Sequence, residues 1–127
     1  MITSAKKSIL IAEDEKSLSK AMKLRLHKNG YDVTIAENGK EANKYLDKKH
    51  YDLILLDIIM PIEDGFSVLG HVQQNLIDTP VIVMTNLTQE EDKQRCKRLG
   101  AKLFIVKANI SLREFDQVVE RNIWWSV

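Results

Sequence analysis

The side chains in this sequence best suited to bind an ion or a phosphate all follow directly after short apolar runs. Glu13 and Asp14 follow the run ILIA, and Asp57 follows LILL. Thr85 follows VIVM, and Lys107 follows LFIV. Three carboxylates, a hydroxyl and an ammonium gathered at one place would supply oxygen ligands for a divalent cation and donors for a phosphoryl group.

These apolar runs have the length and composition of strands that are buried on both faces, as in a parallel sheet. A further, more exposed strand is predicted at Asp32-Val33-Thr34-Ile35-Ala36, where apolar and polar residues alternate. In open sheets of parallel strands, functional crevices lie outside the carboxyl ends of the strands. The polar residues that end the four apolar runs are therefore expected at one edge of one sheet.

Helical patterns separate the strands, so strand and helix alternate along the chain. Leu18, Met22 and Leu26 share one face of a first helix, which is expected to stop near Asn29-Gly30. The third helix is predicted to follow Asp64-Gly65. Capping-box patterns, each a capping residue with Glu three positions later, are expected to begin the second, fourth and fifth helices: Asn38–Glu41, Thr88–Glu91 and Ser111–Glu114.

Alternating strands and helices in a chain of 127 residues predict a doubly wound parallel sheet with helices on both faces. Two strand orders suit such a sheet, a nucleotide-binding half-sheet and the flavodoxin-like order 2-1-3-4-5. The first strand opens onto Glu13-Asp14-Glu15-Lys16 rather than onto a glycine-rich phosphate loop. We therefore expect a flavodoxin-like (βα)5 fold, and dinucleotide or nucleoside triphosphate binding is disfavoured.

In the order 2-1-3-4-5 the first and third strands are neighbours, so Glu13, Asp14 and Asp57 would meet. Carboxylates this close repel one another and need a cation at neutral pH, and an all-oxygen site that keeps water suits Mg²⁺. Beside such an ion, Asp57 could attack a phosphoryl group to form an acyl phosphate. Thr85 and Lys107 could then bind the phosphoryl oxygens.

Each residue also has an ordinary structural explanation when it is taken alone. Asp14 could cap the first helix, and Asp57 could be a solvated turn residue. Thr85 could begin a loop, and Lys107 could extend from a strand end to water. The four strand ends together favour the functional interpretation.

The bulk properties of the chain fit one soluble domain over residues 1–127. The formal net charge is +1, which gives no global field to attract nucleic acid or an acidic membrane. The single cysteine fits a reducing compartment, and no stretch approaches the ~18 apolar residues of a membrane span. We expect a cytoplasmic protein with no direct contact with nucleic acid or membrane.

The motifs ILIAEDE, LILLDIIMPIEDG, VIVMTN and LFIVK resemble those of the receiver domains of two-component response regulators, such as chemotaxis regulators. The resemblance covers a core of about residues 7–122. It implies that Asp57 is the phosphoacceptor, Asp14 a direct Mg²⁺ ligand and Glu13 a ligand through water. The backbone carbonyl of Ile59 would supply a further ligand.

The same resemblance implies a switch formed by Thr85, whose hydroxyl moves to the phosphoryl group, and Phe104, whose ring turns inward behind it. The fourth helix, fifth strand and fifth helix would form the signalling surface. The side chains of Ile59 and Leu87 would control the approach of water to the acyl phosphate.

Two positions depart from the pattern of the family. Lys107 precedes Ala108, where family members usually have proline, often after a cis bond. A non-proline cis bond costs roughly 3–4 kcal/mol, and a trans bond would leave Lys107 less firmly held. The sequence leaves the isomer of this bond open. Asn86 follows Thr85 where the family commonly has a smaller residue, which narrows the expected phosphoryl pocket.

The resemblance implies a receiver that takes its phosphoryl group from a histidine kinase or a histidine phosphotransfer protein and signals to a downstream effector protein. We expect no enzymatic activity beyond its own phosphorylation and autodephosphorylation, and a monomer or a phosphorylation-dependent dimer. No DNA-binding motif follows residue 122, so a stand-alone regulator and an excised receiver are both open. The role of Trp124 and Trp125 is also open.

Two alternatives remain beside this interpretation. A pseudo-receiver, which binds a partner without accepting phosphate, is kept open by Ala108. An aspartyl-nucleophile phosphatase of the haloacid dehalogenase type would need a second carboxylate two residues after Asp57, where this chain has Ile59.

Overall fold

The computed structural model describes residues 6–123, and Trp124 and Trp125 lie outside them. Its strands form one parallel sheet in the order 2-1-3-4-5, so the flavodoxin-like prediction is confirmed. The strands are β1 (Ser8–Ala12), β2 (Asp32–Ala36), β3 (Leu53–Leu56), β4 (Val81–Thr85) and β5 (Leu103–Val106).

A helix follows each strand, and the helices cover both faces of the sheet. Side chains of β1, β3 and β4 alternate between two buried clusters, one on each face. Met22 and Phe115 belong to the cluster under the first and fifth helices, whereas Leu69 and Cys96 belong to the opposite cluster. The helices are α1 (Lys16–Lys28), α2 (Gly39–Leu46), α3 (Gly65–Gln74), α4 (Glu90–Arg98) and α5 (Leu112–Asn122).

The helix ends agree with the predicted caps in all but one case. The Asn38 side chain accepts from the backbone N–H of Glu41, and Ser111 forms a reciprocal capping box with Glu114. The predicted capping box at Thr88 is wrong. The backbone of Gln89 is extended, so α4 begins at Glu90, one residue later than a cap at Thr88 would place it. No side chain among the described residues caps this helix.

The expectation that all four apolar runs are buried on both faces is wrong for β5. This strand lies at the edge of the sheet and pairs only with β4. The neighbouring helix α4 has a single buried residue, Cys96, so it shields the strand poorly. Leu103 is consequently 38% exposed, and Phe104 is half-buried.

An ion pair joins the first and last helices. The Nε and Nη2 atoms of Arg25 donate to the two carboxylate oxygens of Asp116 at 3.0 and 2.5 Å, and Asn29 donates to the same carboxylate. The hydrogen bond from Arg25 lowers the pKa of Asp116. This bidentate contact fixes α1 relative to α5 on one face of the sheet.

Candidate functional site

Asp57 lies directly after β3 and is held by the chain on both sides of it. Its backbone N–H donates to the carbonyl of Ala12 at 2.9 Å, which aligns the ends of β3 and β1. Its side chain is buried, and Oδ1 accepts from the N–H groups of Ile58 at 2.7 Å and Ile59 at 3.3 Å. Its Oδ2 accepts from Lys107 Nζ at 2.7 Å. These hydrogen bonds therefore fix the orientation of the Asp57 carboxylate.

Three carboxylates meet at this edge of the sheet. The pairing of Ala12 with Leu56 places the residues after β1 beside Asp57. One carboxylate oxygen from each of Glu13, Asp14 and Asp57 lies within 4.8 Å of the others. Glu13 is buried, whereas Asp14 is exposed, so the cluster has an open side toward solvent.

Lys107 joins two of these carboxylates from the end of β5. Its Nζ forms ion pairs with Asp57, at 2.7 Å, and with Glu13. Burial alone would lower the pKa of Lys107, but hydrogen bonds to Asp57 and Glu13 outweigh it and raise the pKa. Burial raises the pKa of Glu13, and the hydrogen bond from Lys107 offsets only part of that shift.

The donor set fits a divalent metal ion. When all the groups are ionised, three carboxylates and one ammonium leave two formal negative charges in a partly buried place. Carboxylate oxygens with an open side for water are the ligands that Mg²⁺ prefers. The described residues thus offer a candidate Mg²⁺ site at Glu13, Asp14 and Asp57.

Gly65 allows α3 to begin directly against the segment that carries Asp57. Its N–H donates to the carbonyl of Ile58 at 2.9 Å. A Cβ atom at this position would lie 2.3 Å from the carbonyl oxygen of Asp57 and 2.7 Å from Cα of Ile58. Only glycine fits this close approach of two backbones.

The loop between β3 and α3 also contacts the start of α2, and the sequence analysis did not predict this contact. The N–H of Gly39 donates to the carbonyl of Glu63 at 2.9 Å, and a Cβ atom on Gly39 would lie 2.3 Å from that oxygen. Ile62 and Glu63 have positive φ angles of 47° and 71°, which is unusual for a β-branched residue such as Ile62. The glycine after the Asn38 cap is the only sequence signal for this contact.

The predicted switch residues lie on the two strands beyond β3. Thr85 ends β4 and is fully buried, and its hydroxyl accepts from the N–H of Leu87 at 3.4 Å. Thr85 is paired with Val106 on β5, so it lies beside the strand end that carries Lys107. Phe104 is half-buried, and both Phe104 and Leu87 pack against the core cluster that includes Cys96.

Residues 58–60 and the segment after β5 also lie around Asp57. Ile59 is 56% exposed, and its backbone N–H donates to Oδ1 of Asp57. No cis peptide bond occurs among residues 6–123, so the bond between Lys107 and Ala108, whose isomer the sequence leaves open, is trans. The expectation that a trans bond would leave Lys107 loosely held is wrong, because its ammonium contacts two carboxylates.

The model of the response regulator receiver domain family matches residues 9–120. The chain belongs to this family. The curated relatives include the transcriptional regulatory protein DltR of Streptococcus agalactiae, which is 39% identical over 99 residues. That match covers 78% of this chain and 44% of DltR, so this receiver domain spans less than half the length of such relatives.

Solved structures show the same fold. The receiver domain of the Francisella response regulator 1452 is 32% identical, with a TM-score of 0.83, over 91% of this chain and 94% of that one. The response regulator TrrA of Thermotoga maritima, solved in complex with Mg²⁺ and BeF, is 30% identical with a TM-score of 0.81. That match covers 92% of this chain and 99% of TrrA. None of the helices in the described range 6–123 is long and apolar enough to cross a membrane.

Proposed function

We propose that this receiver domain accepts one phosphoryl group on Asp57. A carboxylate oxygen of Asp57 attacks phosphorus, the bond from phosphorus to the donor atom breaks, and an acyl phosphate forms. The observation that carries this proposal is the position of Asp57, buried between the carboxylates of Glu13 and Asp14 and the ammonium of Lys107. Lys107 would remain beside the phosphoryl group and neutralise part of its charge.

Glu13, Asp14 and Asp57, with the backbone carbonyl of Ile59, would hold the Mg²⁺ ion. When bound, the ion supplies charge neutralisation at the phosphoryl oxygens. Asp14 is the exposed carboxylate of the cluster, so it would bind the Mg²⁺ ion directly. Glu13 already binds Lys107 and the N–H of Glu15, so a role through water suits it better.

The phosphoryl donor would be a histidine kinase or a histidine phosphotransfer protein, in the cytoplasm. The protein would act on no other substrate and would be an enzyme only toward its own phosphorylation and autodephosphorylation. The family and the cluster around Asp57 support this assignment.

Phosphorylation would be signalled to an effector protein, or to a second copy in a dimer, through the surface of α4, β5 and α5. The hydroxyl of Thr85 would exchange its hydrogen bond with Leu87 for one with a phosphoryl oxygen. At 3.4 Å the present bond is long, so this exchange costs little. The half-buried ring of Phe104 would then occupy the space that the hydroxyl leaves, which shifts a pre-existing equilibrium.

Labelling with acetyl phosphate and Mg²⁺, followed by intact mass measurement, tests the proposal. The wild type should gain the mass of one phosphoryl group, and Asp57→Asn should gain none. Asp32→Asn removes an exposed carboxylate at the amino end of β2, whereas Asp57 lies at the carboxyl ends of the strands. This control variant should label like the wild type. A wild type that gains no mass would instead identify a pseudo-receiver.

A further inference from the structure

The tip of the loop between β3 and α3 caps the start of helix α2. The N–H of Gly39 donates to the carbonyl of Glu63 at 2.9 Å, and the N–H of Lys40 donates to the carbonyl of Ile62 at 3.2 Å. These are the first two N–H groups of α2, and such groups have no partner inside their own helix. The loop tip therefore satisfies two donors of α2, and α2 in turn fixes the direction of two loop carbonyls.

The backbone conformation of this loop tip is not one that its residues prefer. Ile62 and Glu63 have φ angles of 47° and 71°, in the left-handed region, which a β-branched residue adopts only at a cost. Residues 61–64 are all exposed, so burial of their side chains does not hold the tip. A strained backbone persists where surrounding contacts impose it. The hydrogen bonds from α2 supply such contacts.

The side chain of Glu63 adds a second tie between the loop and its neighbouring helices. Its Oε2 accepts from Nδ2 of Asn43 in α2 at 3.2 Å and from the hydroxyl of Ser67 in α3 at 3.4 Å. The other amide atom of Asn43, Oδ1, is buried and has no hydrogen-bond partner among residues 6–123, which destabilises the domain. The bond to Glu63 therefore explains Asn43 better than the stability of α2 does.

The same loop carries backbone groups of the site around Asp57. At its base, the N–H of Gly65 donates to the carbonyl of Ile58, which closes residues 59–64 into a short loop. Ile59 is exposed, and its N–H donates to Asp57 Oδ1 at 3.3 Å, which is long for such a bond. Because the loop is short and closed, release of its tip from α2 would change the backbone angles at Ile59.

We propose that Glu63 and Asn43 are positioning residues for Mg²⁺, because they hold the loop tip against α2 and so fix the direction of the Ile59 carbonyl. This role rests on the proposed function, in which that carbonyl is a ligand of the ion. Groups that orient metal ligands commonly change metal affinity by about 10–100-fold. Glu63 and Asn43 act through several backbone bonds, so we expect a change of about three- to tenfold.

Calorimetric titration with Mg²⁺ tests the proposal. Asn43→Ala and Glu63→Ala should each weaken binding by about three- to tenfold. Asn43 carries no charge, so its replacement leaves the electrostatic attraction of the ion unchanged. Glu63→Gln keeps an oxygen that can accept from Asn43, so this variant should recover most of the wild-type affinity.

Glu37→Ala is the matched control for the loss of a negative charge. Glu37 is exposed, directly follows β2 at the same edge of the sheet, and its carboxylate has no hydrogen bond or ion pair within the described range 6–123. This variant should bind Mg²⁺ within about twofold of the wild type, because solvent screens an exposed charge. Equal weakening by Glu63→Gln, Glu63→Ala and Glu37→Ala would overturn the proposal, since it would indicate an effect of charge alone.

Amide hydrogen exchange tests the tie between the loop and α2 without any metal. The N–H groups of Gly39 and Lys40 should exchange faster in Asn43→Ala and Glu63→Ala than in the wild type, while Glu37→Ala should leave their exchange unchanged. Exchange at the wild-type rate in both loop variants would overturn the proposal, because the loop tip would then be held without these side chains.

Labelling with acetyl phosphate separates the positioning role from phosphoryl acceptance. In Asn43→Ala the Mg²⁺ concentration that gives half of the maximal labelling rate should rise by the factor found in calorimetry, and saturating Mg²⁺ should restore full labelling of Asp57. A labelling defect that saturating Mg²⁺ does not restore would overturn the proposal, since it would indicate a general loss of structure. If the wild type binds Mg²⁺ and the variants weaken that binding, yet no phosphoryl group is accepted, the proposed function is contradicted and the positioning role stands.

Discussion

Replacing Gly65 by alanine should damage both the stability of the domain and the position of Asp57. The added Cβ atom would lie 2.3 Å from the carbonyl oxygen of Asp57, whereas ordinary contacts begin at 3.4 Å. The start of α3 must therefore retreat by about 1 Å. That movement breaks or lengthens the 2.9 Å hydrogen bond from Gly65 to Ile58.

The expected loss in free energy of unfolding is about 2–4 kcal/mol. Overpacking contributes about 1–3 kcal/mol, and the weakened backbone hydrogen bond about 1 kcal/mol. For a domain of this size the loss corresponds to a fall in Tm of roughly 6–16 °C. The rate of labelling by acetyl phosphate should also fall, because the carbonyl that the new methyl group contacts belongs to Asp57.

Gly70→Ala in the same helix is the matched control. Nothing lies within 4 Å of a Cβ atom at Gly70, so alanine should stabilise α3 by about 0.5–1 kcal/mol. Urea denaturation of both variants measures the two free energies. If Gly65→Ala stays within about 0.5 kcal/mol of the wild type, the close approach of α3 to Asp57 is wrong.

Three further predictions concern the ion and the lifetime of the acyl phosphate. Calorimetry should find that Asp14→Ala weakens Mg²⁺ binding far more than Glu13→Ala, and equal losses would contradict the ligand roles. Lys107→Ala should tighten Mg²⁺ binding by on the order of tenfold, since it removes a neighbouring positive charge, and weaker binding would contradict this role. Ile59→Asn combined with Leu87→Glu should shorten the phosphorylated lifetime after the donor is removed, because polar groups there can orient the attacking water. A wild type that loses phosphate as fast as this variant would refute the prediction.

The sheet and the cluster around Asp57 could be predicted because both follow from local patterns. Apolar runs that end on polar residues identify the strands and also the edge at which those residues meet. The absence of a glycine-rich loop after β1 then favours the order 2-1-3-4-5. The side chains of Glu13, Asp14, Asp57 and Lys107 come together as a direct consequence of that order.

The features that the sequence did not indicate depend on contacts between segments that are distant along the chain. Leu103 has the apolar character of a buried strand residue, but β5 lies at the edge and α4 covers it with little more than Cys96. Gly65 and Gly39 look like ordinary turn and cap residues until the backbones opposite them are known. Arg25 is visible in the sequence as one cation among several in α1, yet its pairing with Asp116 of α5 is not.

Chemical trapping of the phosphorylated residue tests the central claim most directly. The protein is labelled with acetyl phosphate and Mg²⁺, and borohydride then reduces any acyl phosphate to an alcohol. Peptide mass spectrometry should find homoserine in place of aspartate at Asp57 and at no other position. Homoserine at Asp14 or at another carboxylate, or a stable phosphoryl group that borohydride leaves in place, would contradict phosphoryl acceptance by Asp57.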